Sequence, residues 1–255
     1  LPLNVLNVMK KNTLLNILAC FIIFLGSCTK NTANQNGAVS STSKIASQVG
    51  IDILKQGGNA FDALVATGFA LAVTSPANGN LGGGGFLVAR TSSGEIISLD
   101  FREKAPKSSF EKMFLDDQQN YDKDIAWFSH KSSGVPGTVE GLIRIFEDYG
   151  SGKFSLQQII EPAIELAENG FKLEEAAAFS FDNYKFDFLK DSGSTDIFIK
   201  NNKEVLSINN QFKDKQISEE DFKRTLDEID IWKEGDIFVQ QDLSNTLKRI
   251  AMNGR

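Results

Sequence analysis

Ala60-Phe61-Asp62-Ala63-Leu64-Val65-Ala66-Thr67-Gly68-Phe69-Ala70-Leu71-Ala72-Val73 is the stretch that decides the fold. It is apolar nearly all round, and a helix without a polar face has to be buried inside a layered core. Asn59 is a good N-cap for it, and Asp62, three residues on, favours the positive end of the helix. Pro76 ends it by disfavouring helical geometry at Ser75. Upstream, Ile45, Val49 and Ile53 recur every four residues as far as Gly57-Gly58, which predicts a preceding helix. Downstream, Asn78-Gly79-Asn80-Leu81-Gly82-Gly83-Gly84-Gly85 leads into Phe86-Leu87-Val88-Ala89-Arg90, then the turn Thr91-Ser92-Ser93-Gly94, then an extended run to Arg102. That pattern predicts a hairpin with Arg102 at the trailing end of its second strand. The four glycines are not a phosphate loop, which needs Lys-Ser/Thr entering a helix where Phe86 here enters a strand. Glycines in such numbers allow close backbone approach or positive φ.

Further along, Pro136-Gly137-Thr138 opens a helix with Thr138 as its expected N-cap and Val139, Leu142, Ile143 and Phe146 as its apolar positions, closed by Gly150. Ser155 and Gln158 form a capping-box signature. Pro162 predicts a new short helix, Pro162 to Glu168, stopped at Asn169-Gly170. Between Asp182 and Asp236 the chain is rich in Asp, Lys and Asn, a solvated texture. One amphipathic helix is expected there, about Glu219 to Ile229, with Phe222, Leu226 and Ile229 on one face. A last helix near Asp242 to Met252 buries Leu243, Leu247 and Ile250.

Composition mostly excludes. In 255 residues, Lys+Arg is 27 against Asp+Glu 33, a net charge of −6, so a nucleic acid is not an expected partner. Two cysteines make no disulfide scaffold, and one histidine makes no His-rich metal cluster. His130 is the only imidazole available to a catalytic triad, and its polar setting (Ser129, Lys131, Ser132) points to local hydrogen bonds instead. Asp116, Asp117, Asp122 and Asp124 lack the glycine and terminal glutamate of a calcium loop. No metal or cofactor is expected. Trp127 and Trp232 fit either a core or a pocket rim.

The N-terminal stretch reads as an address. Lys10 and Lys11 precede an uncharged apolar run, Leu14 to Leu25, too short to span a membrane and shaped like a signal peptide. Leu25-Gly26-Ser27-Cys28 resembles a bacterial lipobox, in which Cys28 would be diacylated and become the mature N-terminus; an ordinary cleaved signal with an incidental cysteine is the alternative. Residues 1–27 are then a lipoprotein signal, 28–41 a flexible tether, and 42–255 the folded part, with an exported, periplasmic or cell-surface location on a lipid anchor.

Five motifs stand in order: Gly57-Gly58-Asn59-Ala60-Phe61-Asp62-Ala63; Asn80-Leu81-Gly82-Gly83-Gly84-Gly85-Phe86; Asp100-Phe101-Arg102-Glu103-Lys104-Ala105-Pro106; Ser133-Gly134-Val135-Pro136-Gly137-Thr138-Val139; and Pro162-Ala163-Ile164-Glu165-Leu166-Ala167-Glu168-Asn169-Gly170-Phe171. Together they resemble the first part of the large subunit of γ-glutamyltranspeptidase (glutathione hydrolase), over roughly Thr42 to Gly254, less well between Phe181 and Trp232. The resemblance implies an α+β fold, the αββα sandwich of N-terminal-nucleophile hydrolases, incomplete in this chain. It implies a precursor (a zymogen) that cuts itself autocatalytically, so that a new N-terminal threonine on the small subunit attacks the γ-glutamyl amide. Substrates would be glutathione or other γ-glutamyl compounds, and acceptors water, amino acids or peptides. The threonine, the oxyanion-hole glycines and most γ-glutamyl contacts would lie beyond Arg255, leaving this fragment inactive by itself.

One site residue carries over by motif. Arg102 matches the arginine that binds the glutamyl α-carboxylate, a role suited to a planar guanidinium with two parallel N–H donors. Pairing with Asp100 or Glu103 at a strand end is the alternative for the same residue. The alternative for the whole chain is a catalytically inactive surface lipoprotein that keeps the fold as a binding module.

Overall fold

The computed structural model describes residues 37–228 and 232–254. The expected signal segment, Cys28 and Ile229 lie outside the described residues. The chain is mixed helix and sheet, and the predicted buried helix is its centre. After α1 (Lys44–Lys55) comes α2 (Ala60–Thr74), in which Ala63, Val65, Ala66, Phe69, Ala70, Ala72 and Val73 are at most 2% exposed. Burial of such side chains contributes about 1.5–3 kcal/mol for each large one. Asn59 and Asp62 form a reciprocal capping box, and Asp62, itself fully buried, also accepts Ser151 N–H at 3.1 and 3.2 Å. The polar positions inside this helix satisfy themselves: Thr67 and Thr74 hydroxyls donate to the carbonyls of Ala63 and Ala70.

The hairpin follows as expected. β1 (Phe86–Arg90) pairs antiparallel with β2 (Ile96–Asp100), with Leu87 opposite Leu99 and Ala89 opposite Ile97. Gly94, at φ 90°, supplies the left-handed turn residue. Leu87 and Ile97 face the core, whereas Phe86, Val88 and Ile96 face outward and are 65%, 77% and 74% exposed. The link to the next core helix holds only α3 (Lys123–Phe128) and a 3₁₀ turn, His130–Ser132.

α4 (Thr138–Tyr149) corrects one reading. Its N-cap is Gly137, with no side-chain cap, and Thr138 is the first helical residue. The Thr138 hydroxyl points away from its own helix and donates to Asn80 O at 3.2 Å. α5 (Leu156–Asn169) corrects another. The Ser155–Gln158 capping box is present, but Pro162 lies inside one continuous helix and does not open a second. Ile159, Ile160, Ala163, Ile164 and Ala167 stay in phase along a single buried stripe. Packing of that stripe against α2 and the last helix outweighs the hydrogen bond that Pro162 cannot donate, a defect of about 3 kcal/mol in an unsupported helix.

β3 (Phe171–Lys172) then pairs with β4 (Ile237–Phe238), which brackets an excursion made of α6 (Glu175–Asn183), α7 (Lys185–Phe188), α8 (Ser192–Phe198), α9 (Asn202–Lys213) and α10 (Glu219–Glu228). Its inner part shares the main core through Phe181, Phe198 and Trp232, and the Trp232 indole donates to Phe198 O at 3.0 Å. Its outer part has a small apolar cluster of its own: Leu189, Val205, Phe222 and Leu226. α11 (Gln241–Asn253) closes the described chain and packs on α5 with Leu247 fully buried.

Candidate functional site

The arginine singled out in the sequence stands where three of the five motifs meet. Phe101 continues the hairpin by one more rung, exchanging backbone hydrogen bonds with Gly85 (3.0 and 3.4 Å). Three residues later Lys104 and Val135 form an isolated antiparallel bridge, at 3.1 and 2.8 Å. Arg102 and Glu103 are held between those two anchorages. The glycine loop closes over them, because Gly83 O accepts the N–H groups of both Gly137 (2.8 Å) and Thr138 (3.0 Å) at the start of α4. The other two motifs serve the core: one caps α2 and the other forms the second half of α5.

The Arg102 side chain is 61% exposed and is steered on two sides. Its Nε donates to Glu103 Oε2 at 3.3 Å, and its guanidinium carbon lies 5.7 Å from the centre of the Phe86 ring. Asp100, the other partner considered, takes the Arg102 backbone N–H at 2.9 Å. Among the described residues, neither terminal nitrogen of Arg102 has a hydrogen-bond partner. An exposed ion pair of this kind adds little stability, so the Glu103 contact orients more than it stabilises. Backbone N–H at Glu103 itself holds that carboxylate below its usual range; burial opposes this, and the hydrogen bond and charge of Arg102 and the Gly84 N–H reinforce it. The brace therefore stays ionised well into mild acid. A braced guanidinium with its two outer nitrogens clear can take one carboxylate in a two-pronged grip, which contributes about 1.5–3 kcal/mol.

The other sequence candidates settle into supporting parts. His130 is exposed in its 3₁₀ turn, near enough to Asp191 to help keep that carboxyl's pKa down, after the hydrogen bonds from Ser194. Asp116 accepts the backbone N–H groups of Gln118 and Asn120, and Asp122 caps α3 at Ile125. Among the described residues no three His, Cys, Asp or Glu side chains gather as a metal site. Trp232 is half-buried against the core, edge-on to Phe238, and also lines a cavity beside Lys185 and Leu226, whereas Trp127 is 67% exposed and donates to the Tyr121 hydroxyl. What the sequence reading missed is the support around Arg102: the Phe86 ring beside it and the glycine contacts behind its backbone. The only signal for these was the coincidence of glycine-rich motifs.

Known proteins agree with this architecture. The profile of the family described as gamma-glutamyltranspeptidase matches residues 46–255. The glutathione hydrolase proenzyme of Escherichia coli (strain K12) is 39% identical over 221 residues, which cover 86% of this chain and 33% of that protein. The crystal structure of Helicobacter pylori γ-glutamyltranspeptidase aligns with a TM-score of 0.72 at 39% identity, over 86% of this chain and 54% of that one. The γ-glutamyltranspeptidase of Pseudomonas nitroreducens aligns at 0.67 and 33% identity, over 86% and 55%. The fold is therefore that of the αββα N-terminal-nucleophile hydrolases, represented here by its helices and two short sheets among the described residues. The chain spans about a third of the length of the curated relatives it matches. By its sequence profile, its motifs and its fold, this chain belongs to the γ-glutamyltranspeptidase family.

Proposed function

We propose that the full-length protein carrying this segment cleaves γ-glutamyl amides such as glutathione and passes the γ-glutamyl group to water or to an amino-acid or peptide acceptor. The attack comes from a threonine that self-cleavage of the precursor exposes outside this chain, with its own α-amine as base. This segment forms part of the large subunit, partners the small subunit from the same precursor, and supplies recognition. Arg102 grips the α-carboxylate of the γ-glutamyl group. The observation that carries this reading is the convergence of three motifs on a guanidinium whose Nε is braced and whose terminal nitrogens are clear. In the full-length protein, Arg102→Ala is expected to raise KM for glutathione about 10- to 100-fold while self-cleavage proceeds normally. Steady-state kinetics and a gel of the two subunits check this, and unchanged glutathione kinetics would overturn the site.

Residues 1–27 are proposed as a lipoprotein signal, Cys28 as the acylated residue and 28–41 as the tether, which places the enzyme outside the cytoplasm on a bacterial membrane. Cys28→Ala is expected to move the protein from the membrane fraction to the soluble fraction. Retention on the membrane would refute the anchor.

A further inference from the structure

We propose that Gly84, Gly137 and Gly141 are positioning residues for Arg102, and that through it they set the selectivity of the site for substrates bearing an α-carboxylate. The proposal rests on the reading of Arg102 given above and goes beyond it by naming what aims the guanidinium. The backbone of Phe101-Arg102-Glu103 runs close against Gly84 and Gly137, and the Phe101 side chain against Gly141. A methyl group added at Gly84 would lie 2.5 Å from Phe101 O, 2.8 Å from Arg102 Cα and 2.8 Å from Glu103 N. One added at Gly137 would lie 1.8 Å from Phe101 O. One added at Gly141, a turn into α4, would lie 2.3 Å from Phe101 Cγ and 2.7 Å from its Cβ. Non-bonded heavy atoms do not approach so closely, so a methyl at Gly84 or Gly137 must push the Phe101–Glu103 backbone aside, and one at Gly141 must push the Phe101 side chain. That segment has little room to yield, because the Gly85 rung holds one end and the Lys104–Val135 bridge the other. A two-pronged carboxylate grip needs both N–H groups aligned, and such constellations tolerate only about 0.5 Å of misplacement. The glycines thus aim Arg102 without touching the substrate.

The test compares kcat/KM for a γ-glutamyl anilide with that for the γ-aminobutyryl anilide, which lacks only the α-carboxylate, in the full-length protein. Arg102→Ala sets the floor, an expected loss of preference of about 10- to 100-fold. Gly84→Ala and Gly141→Ala are expected to fall towards that floor while still self-cleaving. Gly85→Ala, whose methyl meets only the tip of the Phe101 ring at 2.9 and 3.0 Å, is expected to lose less but measurably. Folded variants that slow on both anilides equally, with the preference intact, would overturn the proposal. If Gly84→Ala and Gly141→Ala do not fold, Gly85→Ala decides alone, and a wild-type preference there overturns it. An Arg102→Ala protein with undiminished preference would instead overturn the carboxylate reading itself, so the two failures are distinct.

Discussion

Asp62 shows how one side chain can bind distant parts of this chain. Its carboxylate has no solvent exposure and accepts from Asn59 N–H at 2.8 Å and from Ser151 N–H at 3.1 and 3.2 Å. Asp62→Ala would leave two part-buried N–H donors without this partner, each costing about 1–3 kcal/mol at most. The expected loss is about 3 kcal/mol, seen as a lower denaturation midpoint with unchanged m-value. Half of this role was legible, because Asn59 with Asp62 is a local helix-start pattern. The tie to Ser151 was not, since nothing local links residues so far apart in sequence. Arg102 has the same split. Its motif was readable, but choosing between Asp100 and Glu103 as its partner needed geometry, because both stand within two residues of it.

At the scale of elements, legibility followed how densely or regularly the apolar residues recur. α2 and α10 were readable because their apolar residues are dense or regularly spaced. α10 buries only Phe222 and Leu226 but sets them four apart among charged residues, whereas α6 mixes the exposed Phe179 with buried Ala178 and Phe181, and α9 buries the polar Asn209 beside Val205, so no apolar period stands out in either. β3 and β4 have two residues each, too short for alternation to appear. Thr138 and Pro162 depart from expectation for a shared reason: each carries a local helix-start signal, and tertiary partners decide its place. Ion pairs do part of the joining that apolar area does not. Lys185 of α7 lies 3.1 Å from Asp182 of α6 and 2.8 Å from Asp227 of α10. Burial works against its charge, but hydrogen bonds to Asp227 and Asp182 and their charges prevail and hold its pKa above the ordinary lysine value. A raised folded pKa means that this stabilisation is complete below about 10.5 and fades as pH rises through the higher folded value. The gap in melting temperature between wild type and Lys185→Met should therefore be present at neutral pH and close in strong alkali. The half-exposed geometry limits it to about 1 kcal/mol. A gap that persists unchanged in strong alkali would exclude the ion pairs as its source.

For the whole molecule, the hairpin matters most. Phe86, Val88 and Ile96 project from one face of a two-stranded sheet, and an exposed apolar strand face is a template for association. Residues 29–255 produced alone are expected to self-associate, and Val88→Thr with Ile96→Thr should shift the population towards monomer in light scattering. A wild-type piece that stays monomeric and melts in one sharp transition would contradict this. The burial of α2 in a layered core was readable from its apolar faces; the fold class and the family came from the ordered motifs.

The contact between Trp232 and Phe198 has a last consequence. It joins the point where the chain leaves the main body to the point where it comes back, and beyond it α9 and α10 shelter their own oily residues. Closing a loop costs free energy that grows only with the logarithm of its length. That outer pair, still tied back through Leu189 and the Lys185–Asp227 ion pair, is expected to accept a longer or shorter turn between its helices while the arginine keeps its aim, which glutathione kinetics of such variants would check.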